Sequence, residues 1–304
     1  RQSLTDRAGL HTYGYDALNR LRSAEHPTAF AFGDEAYTYD PVGNRLTSHR
    51  APLVTLTYDA ANRLSQDEAF TYAYDATGNL TSKTTLTLPA ETTTYTYDVE
   101  HQLIRVDLPG GTVVTYRYDG LGRRIEKDVA GMRSRFLYDQ EDLITLLDGT
   151  NCATHAFLHG PGIDQPLAFL QETNGDCDPF TDGLGAREPQ RYLLTDGLGS
   201  STSLLAELAP GILRTQECYS YETFGTPRIT TAGPDVRCGT ADDGPPLLQS
   251  AFGHPYLFTG REYDPETGLI YSRARYLDPR TGRFLQEDPL GFATDETNFY
   301  GYAS

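Results

Sequence analysis

The sequence predicts an all-β chain of repeated hairpins, and three observations carry that prediction. Tyrosine (21), glycine (29) and threonine-rich runs favour strands and turns, tryptophan is absent, and long helix-forming stretches are missing. The dipeptide Tyr-Asp recurs seven times in the first half of the 304 residues. The residues around each copy alternate before it and break into turn-forming types after it.

The copies are Tyr15-Asp16, Tyr39-Asp40, Tyr58-Asp59, Tyr74-Asp75, Tyr97-Asp98, Tyr118-Asp119 and Tyr138-Asp139, in steps of 24, 19, 16, 23, 21 and 20 residues. Two residues before each tyrosine stands a large apolar or aromatic residue: Tyr13, Tyr37, Leu56, Tyr72, Tyr95, Tyr116 and Phe136. A spacing of two puts each pair on one face of a strand. After each aspartate comes a polar turn, as in DPVGNRL and DATGNL. Aspartate can accept a bond from the backbone two residues on, and glycine or asparagine tolerates positive φ. The apolar residue after each turn, Leu21, Leu46, Leu64, Leu80, Leu103, Ile125 or Leu143, is expected to start the returning strand.

One hairpin cannot hold itself together, so successive units must lie side by side and bury a stacked aromatic face. Seven evenly distributed copies identify the aspartates as scaffold rather than as metal or sugar ligands. The variable step argues against identical propeller blades.

Past residue 145 the pattern changes. From Arg191 the chain reads RYLLTDGLGSSTSLLAE, then YSYETFGTPR, then YLFTGREYDPETGLIYSRARYLDPRTGRFLQEDPLGF. With the Tyr-x-Tyr-Asp-x-x-Gly-Asn/Arg phrase, these segments resemble the Rhs/YD-repeat family, whose relatives include bacterial polymorphic toxins, the C component of tripartite insecticidal toxin complexes, and animal teneurins. The resemblance implies a spiralling sheet of YD-repeat β-hairpins forming part of a hollow β-shell, with an Rhs-associated core at the C-terminal end. It divides the chain into repeats over 1–145, an acidic cysteine-containing insertion over 146–190, and the core region over 191–304, itself interrupted at about 230–255.

In many bacterial members the core carries an aspartyl autoprotease, written as two DPxG motifs about 18 residues apart. The first is present as Asp288, Pro289, Leu290 and Gly291, and the sequence given stops at Ser304, before the second would fall. Aspartic proteolysis needs two carboxylates sharing a proton, so Asp288 is half of such a site. Arg283 is the expected charge partner near it in sequence. The bland alternative is an Asp-Pro turn closing the core.

The net charge of -17 is uneven: residues 1–140 hold 15 Lys+Arg against 18 Asp+Glu, and 141–304 hold 10 against 24. This balance argues against phosphate-backbone binding, so nucleic acid is not an expected partner. No run of about 18 apolar residues occurs, so no membrane insertion by a helix is expected. Cys152, Cys177, Cys218 and Cys238 lack zinc spacing. They fit either two disulfides in an exported protein or four buried thiols. Cys152 with Cys177, and Cys218 with Cys238, would each staple one insertion to its base; two other connectivities stay open.

The segments 145–190 and 230–255 read as inserted loops. In the first, Asn174, Asp176, Asp178 and Asp182 fall at calcium-loop offsets, but Pro179 and Gly185 stand where glycine and glutamate belong, which favours a solvated acidic loop. His155 and His159, four apart on an expected strand, should not converge on a metal. No cofactor is expected. Three functional readings follow: a structural shell of a secreted or surface bacterial protein that encloses or displays an adjacent effector polypeptide; an extracellular adhesion or assembly spacer; and a single-turnover autoprotease core in a longer parent chain, which would carry further YD repeats.

Overall fold

The computed structural model describes residues 2–5, 9–28, 32–50, 54–162, 165–173, 175–180, 190–209, 211–240, 242–294 and 298–302. The all-β expectation holds: among these residues the only helical turns are the short 3-10 segments Phe258–Gly260 and Gly291–Thr294. The chain divides into two compact units, one of residues 1–113, 222–226 and 274–304, the other of 114–221 and 227–273.

In the first unit, Ser3–Thr5, Leu10–Tyr15, Leu21–Glu25 and Glu35–Ala36 pair antiparallel in chain order. A second antiparallel ladder runs from Thr57–Tyr58 through Leu64–Gln66, Phe70–Tyr74, Leu80–Thr85 and Thr92–Tyr97 to Leu103–Asp107. The short hairpin of Arg275–Asp278 with Arg283–Phe284 lies in the same unit but outside that ladder. The second unit carries nine consecutive antiparallel strands from Arg124–Val129 to Pro227–Thr231, plus the hairpin of Glu262–Asp264 with Leu269–Ser272. Its core joins Phe136, Leu143, Leu146, Phe157, Phe169, Leu193, Leu204, Tyr219 and Ile229 from the ladder with Tyr256 and Leu257.

The repeated phrase has one local geometry. In the turns after Asp16, Asp40, Asp59, Asp75, Asp98 and Asp119, the aspartate N–H donates to the carbonyl four residues on, and the N–H three residues on donates back to the aspartate carbonyl. Oδ1 then accepts the amides two and four residues on. This is a type I turn closed by a residue in the left-handed region, which is why Gly43 (φ 88°) or Asn19 (φ 62°) stands there. Immediately beyond, the returning strand bulges: Tyr74 faces Leu80 and Ala73 faces Ser82, so Thr81 is extra, and its hydroxyl donates to the Ala73 carbonyl. Of the residues two before each Tyr-Asp, Tyr37, Leu56, Tyr95, Tyr116 and Phe136 are buried, and Tyr13 and Tyr72 are half-buried.

Four expectations need correction. Asp139 makes no such turn; it pairs with Asp142 across a two-residue connection, Gln140-Glu141. The same turn recurs instead at Asp148 and Asp196, and at Glu222 in backbone form, none of which follows the Tyr-Asp spelling. In the repeats spelled GNRL and GRRI, the inward position is taken by Arg45 and Arg124, while Leu46 and Ile125 fall at the bulge. The bulge lengthens the count by one, so the apolar residue that looks like the start of the strand faces outward. Finally, 145–190 is not all loop: Ala153–His159 and Pro166–Gln171 are strands of the ladder.

Candidate functional site

Between consecutive turns the same side chains make the links. Arg20 and Arg63 each donate through Nε to their own turn's Asp16 and Asp59 at 2.7 Å. Each then reaches the next turn, bonding the carbonyl of Asp40 or Asp75 and lying over the ring of Tyr39 or Tyr74. Arg123 repeats this in the second unit with Asp119, the Gln140 carbonyl and Tyr138. The tyrosine hydroxyls point backwards: Tyr39, Tyr58 and Tyr138 donate to the carbonyls of Leu21, Arg45 and Arg124. Tyrosine and aspartate are therefore joints between repeats.

Charge gathers where the C-terminal segment meets the repeat strands. In the second unit Arg124, only 1% exposed, donates to Asp264 at 2.5 Å and to Glu262 at 2.6 Å, and Lys127 bridges Asp264 and Glu266. Burial alone would raise the Asp264 carboxyl, but the charges and hydrogen bonds of Arg124 and Lys127 hold it below its usual range. Glu262 goes the other way, because burial and the neighbouring Asp264 outweigh Arg124. In the first unit Arg280 pairs with Asp67 and Glu68, and Lys83 with Asp278. Tyr300 donates to the Gly78 carbonyl at 2.7 Å. Gly78 has φ 89°, and a Cβ there would overlap the Glu287 carboxylate and the Tyr300 hydroxyl, so that turn requires glycine twice over.

A Glu-x-Tyr pair with a histidine occurs in each unit. In the first, the Tyr37 hydroxyl donates to Glu35 and lies 3.3 Å from His49, whose other nitrogen is 3.1 Å from Glu222. Glu35 also receives the Thr223 amide and faces His26, itself 2.8 Å from His11. In the second, Tyr219 donates to Glu217 at 2.5 Å and lies 2.6 Å from His254, while Ser250 and the Ala251 amide close on Glu217.

Asp288 lies in the turn that the bland reading expects. Its Oδ1 accepts the Leu290 amide at 2.9 Å and its Oδ2 pairs with Arg275 at 2.7 Å. Arg283, the sequence candidate, is not its partner: it turns to Asn44, Asn298 and the Asn62 carbonyl. The two nominated catalytic residues are thus not brought together.

Residues 1–147 match the family model described as Teneurin YD-shell. The chain is 28% identical over 307 residues to tRNA nuclease WapA of Bacillus subtilis (strain 168), covering 95% of this chain and 11% of the relative. It is 28% identical over 311 residues to Double-stranded DNA deaminase toxin A of Burkholderia cenocepacia (strain H111), covering 97% and 20%. These are the matches expected of a chain that resembles the Rhs/YD-repeat family. The crystal structure of TcdB2-TccC3-Cdc42 is similar over 97% of this chain and 18% of its own, at 20% identity and a TM-score of 0.47. The chain therefore spans between about a tenth and a fifth of the relatives it matches.

Cys152 is bonded to Cys177 and Cys218 to Cys238. Of the calcium-loop candidates, Asn174, Asp182 and Gly185 lie outside the described residues, while Asp176 and Asp178 cap successive turns by accepting the amides of Asp178 and Phe180. His155 and His159 bond different carbonyls, those of Phe252 and Leu143. No metal-competent group of three ligands occurs among the described residues. Sequence reasoning missed Arg45, Arg124, Glu217 and Glu222. A usable signal was present in the last two: ECYSYETFG repeats EAYTYDPVG with glutamate in the aspartate position.

Proposed function

We propose that this chain is a wall segment of a larger β-shell which encloses or displays an effector polypeptide belonging to the same parent protein. One observation carries the reading: the same stretch is similar to relatives named for different chemistries, a nuclease and a deaminase, so what they share with this chain is the scaffold. The joints between repeats agree with it, since tyrosine, aspartate and arginine are spent on linking turns. Two disulfides fit an oxidising, exported setting. Limited proteolysis of the parent protein tests the proposal. The polypeptide that follows the core should resist protease until the shell is denatured; digestion at the rate of the isolated polypeptide would sink it.

The ion pair of Asp288 with Arg275 supports a second reading, in which the parent chain cuts itself once. Mass analysis of the purified parent should show two fragments, with a single uncut chain for Asp288→Asn. Cleavage that persists in the variant would remove Asp288 from the chemistry.

A further inference from the structure

Two guanidiniums of the first unit are buried without a carboxylate. Arg45 and Arg283 are 6% and 7% exposed, and no ion pair within 4 Å is formed by either among the described residues. Arg45 donates to the Arg280 carbonyl at 3.3 Å and lies over the rings of Tyr37 and Phe224, each centroid 5.1 Å away. Arg283 bonds only neutral oxygens, on Asn44, Asn62 and Asn298, and lies over Tyr58 and Tyr300. The Nε–H of each is buried with no acceptor.

Both line one part-open cavity, together with Arg20, Tyr39, Phe224 and Tyr302. No acidic side chain lines it, and Arg20 is already paired with Asp16. The space has room for a few water-sized groups. Gly282, at φ 65°, helps keep it open, since a side chain there would strike the Phe224 ring. A buried charge is tolerated when it is paired, and here two like charges share one wall. Burial pushes the Arg283 guanidinium below its ordinary value, and the Arg45 charge adds to that push against the neighbouring tyrosines. Arg124 shows the other arrangement, with Asp264 and Glu262 supplied by the chain itself.

We propose that the cavity between Arg45 and Arg283 binds an anion, a single carboxylate or a small oxyanion of that size. Guanidinium is the group suited to it, because its planar N–H fork matches two oxygens of one carboxylate. The aromatic walls lower the local polarity and so strengthen the attraction. Two sources can supply the chemistry: a free anion, or the side-chain carboxylate of a polypeptide.

Calorimetry of the 304-residue protein at fixed ionic strength distinguishes them. Acetate, inorganic phosphate and N-acetyl-aspartate amide are each titrated against a bulky counter-anion. The binding isotherm should saturate, and Tm should rise with the logarithm of anion concentration, on the order of 5 °C at a hundredfold excess over Kd. The rise should vanish in Arg45→Gln and in Arg283→Gln. Saturation by acetate and phosphate assigns a free-anion site, and saturation by the aspartate derivative alone assigns a side-chain site. Should either variant fail to fold, bromide soaked into crystals of the unaltered protein should give an anomalous peak between the two guanidiniums. The proposal is overturned if no titrant saturates and no peak appears, or if folded variants respond as the unaltered protein does.

Discussion

The two Glu-x-Tyr-His networks use the same three groups and behave differently, because one is sealed and the other is not. His254 is fully enclosed, and burial with the nearby His155 charge pushes its pKa down to about 3, so it serves Tyr219 as a neutral ring. His49 keeps 16% of its side chain exposed and sits between two carboxylates, Glu35 and Glu222. Burial would raise both carboxyls, yet hydrogen bonds from His26, Tyr37 and the Thr223 amide on Glu35, and from His49 with the Arg50 charge on Glu222, hold both below their usual range. One network is a packed core element and the other a charged joint that holds the turn at 222–226. Burial, more than residue identity, decides which role a motif plays.

Removing the central carboxylate is the hardest test of that contrast. Glu217→Ala strands Tyr219, Ser250 and the Ala251 amide in a dry core and should cost roughly 3–5 kcal/mol. Glu35→Ala leaves His49 near water and should cost about 2–3 kcal/mol. Chemical denaturation of both variants checks the order, and equal losses would erase the distinction.

Acid should separate the networks next. His254 has a folded pKa below its unfolded value, so the unfolded state binds the extra proton, and stability falls as pH drops below the ordinary histidine value of about 6.5 towards the folded value. The loss is on the order of a few kcal/mol. Glu35 and Glu222 also have depressed values, so their contribution is intact above the ordinary glutamate range of about 4.3 and is lost only below it. Hydrogen exchange across pH 7 to 4 should therefore loosen the strand Ile212–Tyr221 well before the Glu35–Tyr37 segment. Simultaneous loosening would count against a sealed His254.

The smallest expected effects come from the hydroxyls. Tyr37→Phe and Tyr219→Phe each remove one charge-assisted hydrogen bond, at about 1–2 kcal/mol, with the larger value for Tyr219. Matched melting curves would show it.

How much of this was legible follows from what the sequence can spell. The turn was, because its aspartate, its left-handed residue and its arginine or asparagine are all within five positions, so local chemistry fixes them. The repeats at Asp148 and Asp196 were not, since Leu147 and Thr195 stand where tyrosine is expected and only the aspartate and its turn keep the pattern. The inward Arg45 and Arg124 were hidden by the bulge, which shifts facing by one residue and sends an arginine where an apolar side chain looks due. The pairing of Arg275 with Asp288, and the separation of Arg283 from it, depend on how distant strands are laid down. No spacing in the chain announces either.

The arginine that reaches from one turn into the next has a wider consequence. Because the link joins turn to turn, it is indifferent to how far each hairpin extends on the other side. The turn margin works like the bound spine of a book, and the opposite margin is free to be cut to any width. Steps of 16 to 24 residues between copies are then no irregularity. They let a lineage lengthen, shorten or decorate single leaves without rebinding the volume.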